Sequence, residues 1–178
     1  EPYGCFDGVL LMELMTDESG GVAPRLNDVS LTAEQAREDH TLVMQNVMRM
    51  LSVGIVHGDL SEFNVLVDEE GPIIIDLPQA VDAAGNNNAH AMLTRDVENM
   101  TNYYGQFAPA LLETQYAKEI WALYEEGNMD VDFELTGKFV ESNESADVDS
   151  VIAEIKAAIA EEDERQERIR DANDDGED

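Results

Sequence analysis

An Asp, an Asn and a second Asp stand at positions 59, 64 and 76 of this chain, inside the run IVHGDLSEFNVLVDEEGPIIID. Those residue types at that spacing suit phosphoryl transfer, in which one carboxylate accepts a hydroxyl proton while an amide oxygen and a second carboxylate hold magnesium. Magnesium is a hard cation that takes oxygen ligands, keeps several waters, and is usually held by one or two protein groups plus substrate phosphates. Asn64 and Asp76 supply such groups, and Asp59 is the expected catalytic base.

The neighbouring residues explain how the three would be brought together. Val65 to Val67 reads as a strand, Asp68-Glu69-Glu70-Gly71-Pro72 as a turn, and Ile73 to Ile75 as the returning strand of a hairpin. Asn64 and Asp76 would then lie side by side at its open end. Asp59 precedes them on an irregular loop whose flanking apolar residues, Val56 and Leu60, anchor the backbone. Taken singly, an HxD, a histidine such as His57 and an acidic turn are common features. The conjunction is the signal, and His57 is read as an organiser of the loop, not as an acid or base.

HGDLSEFN at His57 to Asn64, followed by IDLPQAV at Ile75 to Val81, resembles the RIO kinases, atypical serine/threonine kinases and ATPases. Classical protein kinases carry Arg inside HRD and a DFG; here Gly58 separates His from Asp, and Leu77-Pro78 follows Asp76. Small-molecule kinases of the aminoglycoside type also use HGD, Asn and ID, but Ser61-Glu62-Phe63 and Pro78-Gln79 favour RIO. The resemblance extends to VLLMELM at 9–15, similar to the family's hinge strand, to APRLNDVSLT, and to NAHAMLTRDVENMTNYY, covering about residues 3 to 126.

The resemblance implies an α+β fold, the carboxy-terminal lobe of a protein-kinase-like enzyme, mainly α-helical with a small β-hairpin carrying the metal ligands. It implies ATP with Mg2+ or Mn2+ as cofactors, backbone groups of Glu13 and Met15 on adenine, Met12 behind them, and Asp76 transiently phosphorylated during ATP hydrolysis. Ser61 would help position the loop. A link to ribosome assembly follows from the family alone, and the phosphoacceptor, protein or small molecule, stays open.

A kinase also needs a Gly-rich lid and a strand Lys on the phosphates, whereas the lysines here are Lys118, Lys138 and Lys156, all beyond Asp76. With the hinge strand starting near Val9, the chain reads as a carboxy-terminal lobe apart from its amino-terminal partner, binding nucleotide weakly by itself. Two function classes therefore remain: a RIO-type phosphotransferase or ATPase, and a non-catalytic scaffold that senses nucleotide.

Composition bounds both. The chain has 178 residues, 43% hydrophobic, enough for one core. Its single cysteine, Cys5, excludes an internal disulfide, which suits a reducing compartment and a cytoplasmic location. No apolar run reaches the roughly 18 residues of a membrane span. With 40 acidic and 10 basic residues the net charge is −30, a field that repels phosphate backbones and argues against direct nucleic-acid binding by this lobe. It also suits a salt-tolerant cytoplasm.

Helical spacing frames the site. Thr32-Ala33-Glu34-Gln35 has the form of a capping box, and Ala36, His40, Val43, Met44, Val47, Met50 and Leu51 recur on one face up to Gly54. Their Met-rich stripe reads as core packing. A small-residue stretch from Asp82 to Asn88 precedes a helix expected from about Ala91 to Tyr104, with Arg95 and Asp96 bracing it against the catalytic loop and His90 in a packing or solvent-facing role. This loop is short enough to predict little dependence on activation-loop phosphorylation.

Pro109 suits the first turn of another helix running to Gly127, with Trp121 buried. Residues 129 to 140 turn extended, 141 to 147 form a linker, and a final helix starts near Asp147. The lobe is taken as residues 1–160. Residues 161–178, with ten acidic and three basic side chains, read as a disordered acidic tail.

Overall fold

The computed structural model describes residues 2–17, 19–130 and 133–139. Among them a helical core is flanked by three two-stranded antiparallel sheets, and residues Glu1–Phe139 form one compact unit. The linker, final helix and acidic tail expected after residue 140 lie outside the described residues.

The first helix, α1 (Ala33–Ser52), begins where the sequence says it should. The Thr32 hydroxyl accepts from the Gln35 N–H at 3.2 Å, and Gln35 Oε1 accepts from the Thr32 N–H at 3.0 Å, so two of the helix's orphan donors are satisfied reciprocally. It ends at Gly54, whose φ of 79° lets the chain turn back as a left-handed cap. Its buried face is Ala36, His40, Val43, Met44, Val47, Met48 and Leu51. Met48 takes the place expected for Met50, which is half-buried.

The second helix, α2 (Ala89–Gly105), packs against α1. Leu93, Val97, Met100 and Tyr104 line its buried stripe, and Asp96 sits among them, 1% exposed. It starts two residues before the expected Ala91. The helix expected from Pro109 is two elements, a 3-10 turn over Pro109–Glu113 and α3 (Tyr116–Glu125). The break has a cause: Gln115 N–H donates to Gly137 O at 2.8 Å, and the buried Glu119 carboxylate accepts from the N–H groups of Thr136 and Gly137. Residues 133–139 are thereby tied to α3 and form no strand. Trp121 is half-buried, stacked on His90 with ring centroids 4.6 Å apart.

The expected hinge strand is shorter than its sequence run. β1 (Pro2–Phe6) pairs with β2 (Val9–Met12), and Glu13 to Met15 continue without sheet pairing. Short strands β3 (Ile55–Val56) and β6 (Val81–Asp82), the latter not foreseen, pair on either side of the central hairpin in sequence. That hairpin is β4 (Val65–Asp68) and β5 (Gly71–Ile74). Its turn is tighter than expected, with Glu69-Glu70 at the tip and Pro72 inside β5 opposite Val67.

Proline is tolerated there because of register. Ile75 N–H donates to Asn64 O, so hydrogen-bonded pairs alternate along the ladder and the Val67–Pro72 pair is one that exchanges no bond. The Val67 N–H points the other way, to Pro24 O at 2.9 Å.

Candidate active site

The loop between β3 and β4 carries Asp59 and is held from three sides. From α2, the Asp96 carboxylate accepts the N–H groups of Gly58 at 2.6 Å and Leu60 at 3.0 Å. Arg95 donates to Gly58 O, and Asn99 to Leu60 O at 3.1 Å. Burial pushes the Asp96 carboxyl above the ordinary carboxylate range, against the pull of those two N–H groups, His57 and Arg95. The sequence reading of Arg95 and Asp96 as braces thus has a specific form. Asn99 adds a brace that the sequence does not announce, since a lone Asn on a helix face carries no signal.

From the hairpin side, His57 is 3% exposed and its Nε2–H donates to Ile75 O at 3.0 Å, while Nδ1 accepts the Asp59 N–H at 3.3 Å. Both ring nitrogens are occupied by backbone, which fits the organiser role and leaves no nitrogen for proton transfer. Val56 and Leu60, at 1% and 0% exposure, anchor the loop in the core.

Asn64 completes the cluster. Its Nδ2 donates to Asp59 O at 2.8 Å, which leaves Oδ1 as the side-chain atom for a cation. Asp76 follows Ile75 directly and has φ of 70°, a left-handed conformation that Asp adopts at a cost and that clusters at functional sites. Asp59 and Asp76 are both exposed, and neither carboxylate has an ion-pair partner among the described residues. Ser61 acts through its backbone, its carbonyl accepting the Asn64 N–H at 2.9 Å.

A second contact has no counterpart in the sequence reading. Gln79 Nε2 donates to Asp59 Oδ2 at 3.3 Å. The Gln79 carbonyl also passes so close to Gly58, φ 83°, that a Cβ there would meet it at 2.8 Å. Glycine in HGD is therefore a packing requirement of the loop after Asp76.

Glu13 and Met15 lie elsewhere. They line a cleft of about 480 Å³ whose opposite wall is Asp68 to Ile73, the turn end of the hairpin. Asn64 and Asp76 stand at the hairpin's other, open end, Asp76 three residues beyond Ile73 of the cleft wall, about 10 Å along the strand. Met12 is not in this cleft's lining. Met15 O accepts from Ala23 N–H at 3.0 Å. A ligand bridging both places must run along β4 and β5. Among the described residues no group of three His, Cys, Asp or Glu side chains is placed to hold a metal, and no helix is long and apolar enough to cross a membrane. An Asn oxygen and one carboxylate fit magnesium, which keeps its waters, better than a metal needing an all-protein cage.

The helical core, the clamped HGD loop and the Asn-to-Asp hairpin define a mixed helix and strand fold compatible with a kinase-like class. The family description "RIO1: RIO domain" matches residues 1–117, and the chain belongs to the RIO family. It is similar to the RIO-type serine/threonine-protein kinase Rio1 of Haloferax volcanii, 34% identical over 106 residues, covering 58% of this chain and 34% of the relative. To Rio1 of Thermoplasma acidophilum it is 36% identical over 104 residues, 58% of this chain and 52% of the relative. To serine/threonine-protein kinase RIO1 of Homo sapiens it is 36% identical over 93 residues, 51% of this chain and 16% of the relative. The matches span about half the length of these relatives or less.

Proposed function

We propose that this chain carries the catalytic and metal-binding half of a RIO-type, ATP-dependent phosphotransferase or ATPase. Asp59 takes the proton of an attacking hydroxyl or water. That oxygen forms the new bond to the γ-phosphorus, the bond to the bridging oxygen breaks, and ADP leaves. Asn64 Oδ1 and Asp76 would hold Mg2+ or Mn2+, which supplies neutralising charge at the phosphates. Glu13 and Met15 offer backbone groups to adenine. The cytoplasm is the proposed location.

One observation carries the reading. Asn64 binds the Asp59 carbonyl through Nδ2 and pairs with Ile75, the residue before Asp76, so base, amide and second carboxylate share one hydrogen-bonded unit with both carboxylates exposed. In the ATPase route that the family resemblance implies, an Asp76 carboxylate oxygen instead bonds to the γ-phosphorus as the bond to the bridging oxygen of ADP breaks. A water that gives its proton to Asp59 then displaces the carboxylate from phosphorus to release phosphate; lability of the phosphoprotein to hydroxylamine tests it.

In the full-length gene product, Asp59→Asn should lower turnover by about 10²- to 10⁴-fold with Mg-ATP affinity retained. Unchanged turnover rejects Asp59 as base. The second reading is a nucleotide-sensing scaffold. Tight Mg-ATP binding with no turnover in the wild type would establish it.

A further inference from the structure

We infer that Gln79 is a positioning residue for Asp59, coupling the loop after Asp76 to the orientation of the catalytic base; the inference rests on the function proposed above. Asp59 is exposed, and its neighbours in the loop bond to its backbone, not to its carboxylate. An exposed carboxylate so placed turns freely about its side-chain torsions. Gln79 supplies what the loop does not: its Nε2 donates to Asp59 Oδ2 at 3.3 Å, across twenty residues of sequence. With Oδ2 held, Oδ1 is the oxygen presented to an incoming hydroxyl. The bond is long for an N–H···O contact, as hydrogen bonds of catalytic groups often are before substrate arrives.

The placement of Gln79 is built, not incidental. Ala80 N–H donates to Leu77 O at 3.0 Å, closing a turn over Leu77 to Ala80 directly after Asp76. The same turn seats the Gln79 carbonyl against Gly58, where any Cβ would meet it at 2.8 Å. Gln79 thus meets the catalytic loop twice, through its backbone at Gly58 and its side chain at Asp59. It stands three residues from Asp76, so a shift of Asp76 toward a cation is transmitted to the Asp59 carboxylate through one short turn. An amide suits this role because it donates a hydrogen bond without the full charge that would lock the base into an ion pair.

The test is a double-mutant cycle in the full-length protein combined with a ligand-free measurement. Gln79→Ala should lower kcat about 10-fold with KM for Mg-ATP within about 2-fold, and should add no further loss in an Asp59→Asn background, because the residue it orients is gone. In metal-free protein labelled with 15N, the side-chain amide signals of Gln79 should shift on Asp59→Asn. Unchanged kcat in Gln79→Ala, an equal loss in both backgrounds, or an amide signal indifferent to Asp59 overturns the inference. Where Asp59→Asn leaves too little turnover to measure a second loss, the amide signal decides. Loss of turnover in Asp59→Asn with Gln79→Ala unaffected rejects the inference alone, whereas wild-type turnover in Asp59→Asn rejects the functional reading and the inference with it.

Discussion

Asp96→Ala removes the acceptor of two buried N–H groups while leaving every exposed site residue in place. In the wild type those donors lie 2.6 and 3.0 Å from the carboxylate. Hydrogen bonds to a charged group contribute about 1.5–3 kcal/mol each, and a buried donor left unpaired costs about 1–3 kcal/mol, so two lost bonds amount to about 3–6 kcal/mol. The lower end is expected, because burial already disfavours the charged carboxylate. Against a total stability of about 5–15 kcal/mol, a loss near 3 kcal/mol should lower Tm by about 10 °C in a domain of this size. Asp96→Asn keeps the volume and one acceptor but turns an NH2 toward the second donor, and should cost about half as much. Urea unfolding followed by fluorescence of Trp121, the single tryptophan, reads both. A loss below about 1 kcal/mol in Asp96→Ala, or an Asn variant as damaging as the Ala variant, would refute the view that this carboxylate holds the loop.

Gly58→Ala should destabilise by about 1–3 kcal/mol, since it places a side chain at positive φ against the Gln79 carbonyl; an unchanged urea midpoint would contradict the close packing of the two loops. His40 is buried, and desolvation pulls it from its ordinary 6.5 to about 4. The unfolded chain therefore takes up the proton first, so a contribution of about 3 kcal/mol, at about 1.4 kcal/mol per unit, is present above pH 6.5 and lost by pH 4. The difference in stability between wild type and His40→Phe should show that slope, and parallel pH curves would exclude it. With a net charge of −30, Mg-ATP affinity should rise as salt increases from 0.05 to 0.5 M and the Debye length shrinks from about 14 to about 4 Å; weaker binding at high salt would show that local positive charge governs the site.

Elements with a local signal are legible in the sequence. The Thr32 capping box, the periodic face of α1 and the hairpin between Asn64 and Asp76 need only neighbouring residues, and each is present in the structure. The elements that differ from expectation depend on distant partners. Nothing near Thr114 announces that Gly137 will take its neighbour's N–H, so the sequence predicts one helix where a 3-10 turn and α3 stand. Pro72 reads as part of the turn because proline usually breaks a strand, whereas the register gives it a pair that needs no N–H. In the candidate site, spacing singles out Asp59, Asn64 and Asp76, and Arg95 and Asp96 read together as braces of their helix against the catalytic loop. Gln79 and Asn99 carry no such signal because their partners lie 20 and 39 residues away.

The charges of the site divide in a way that bears on its chemistry. Asp96 faces inward and spends both oxygens on backbone donors. Asp59 and Asp76 face outward without a cationic side chain paired to either among the described residues, and the nearby Arg95 is turned to the Gly58 carbonyl. Asn64, whose side chain closes the catalytic loop on the Asp59 carbonyl, and Gln79, which reaches Asp59 from the loop after Asp76, are neutral amides. The fold therefore fixes the backbone of this site firmly while leaving its outward charge uncompensated. On the function proposed here, countercharge would come from solution or from a cation before an anionic phosphate approaches the two carboxylates, and Asn64 Oδ1 and Asp76 are the groups proposed to hold that cation.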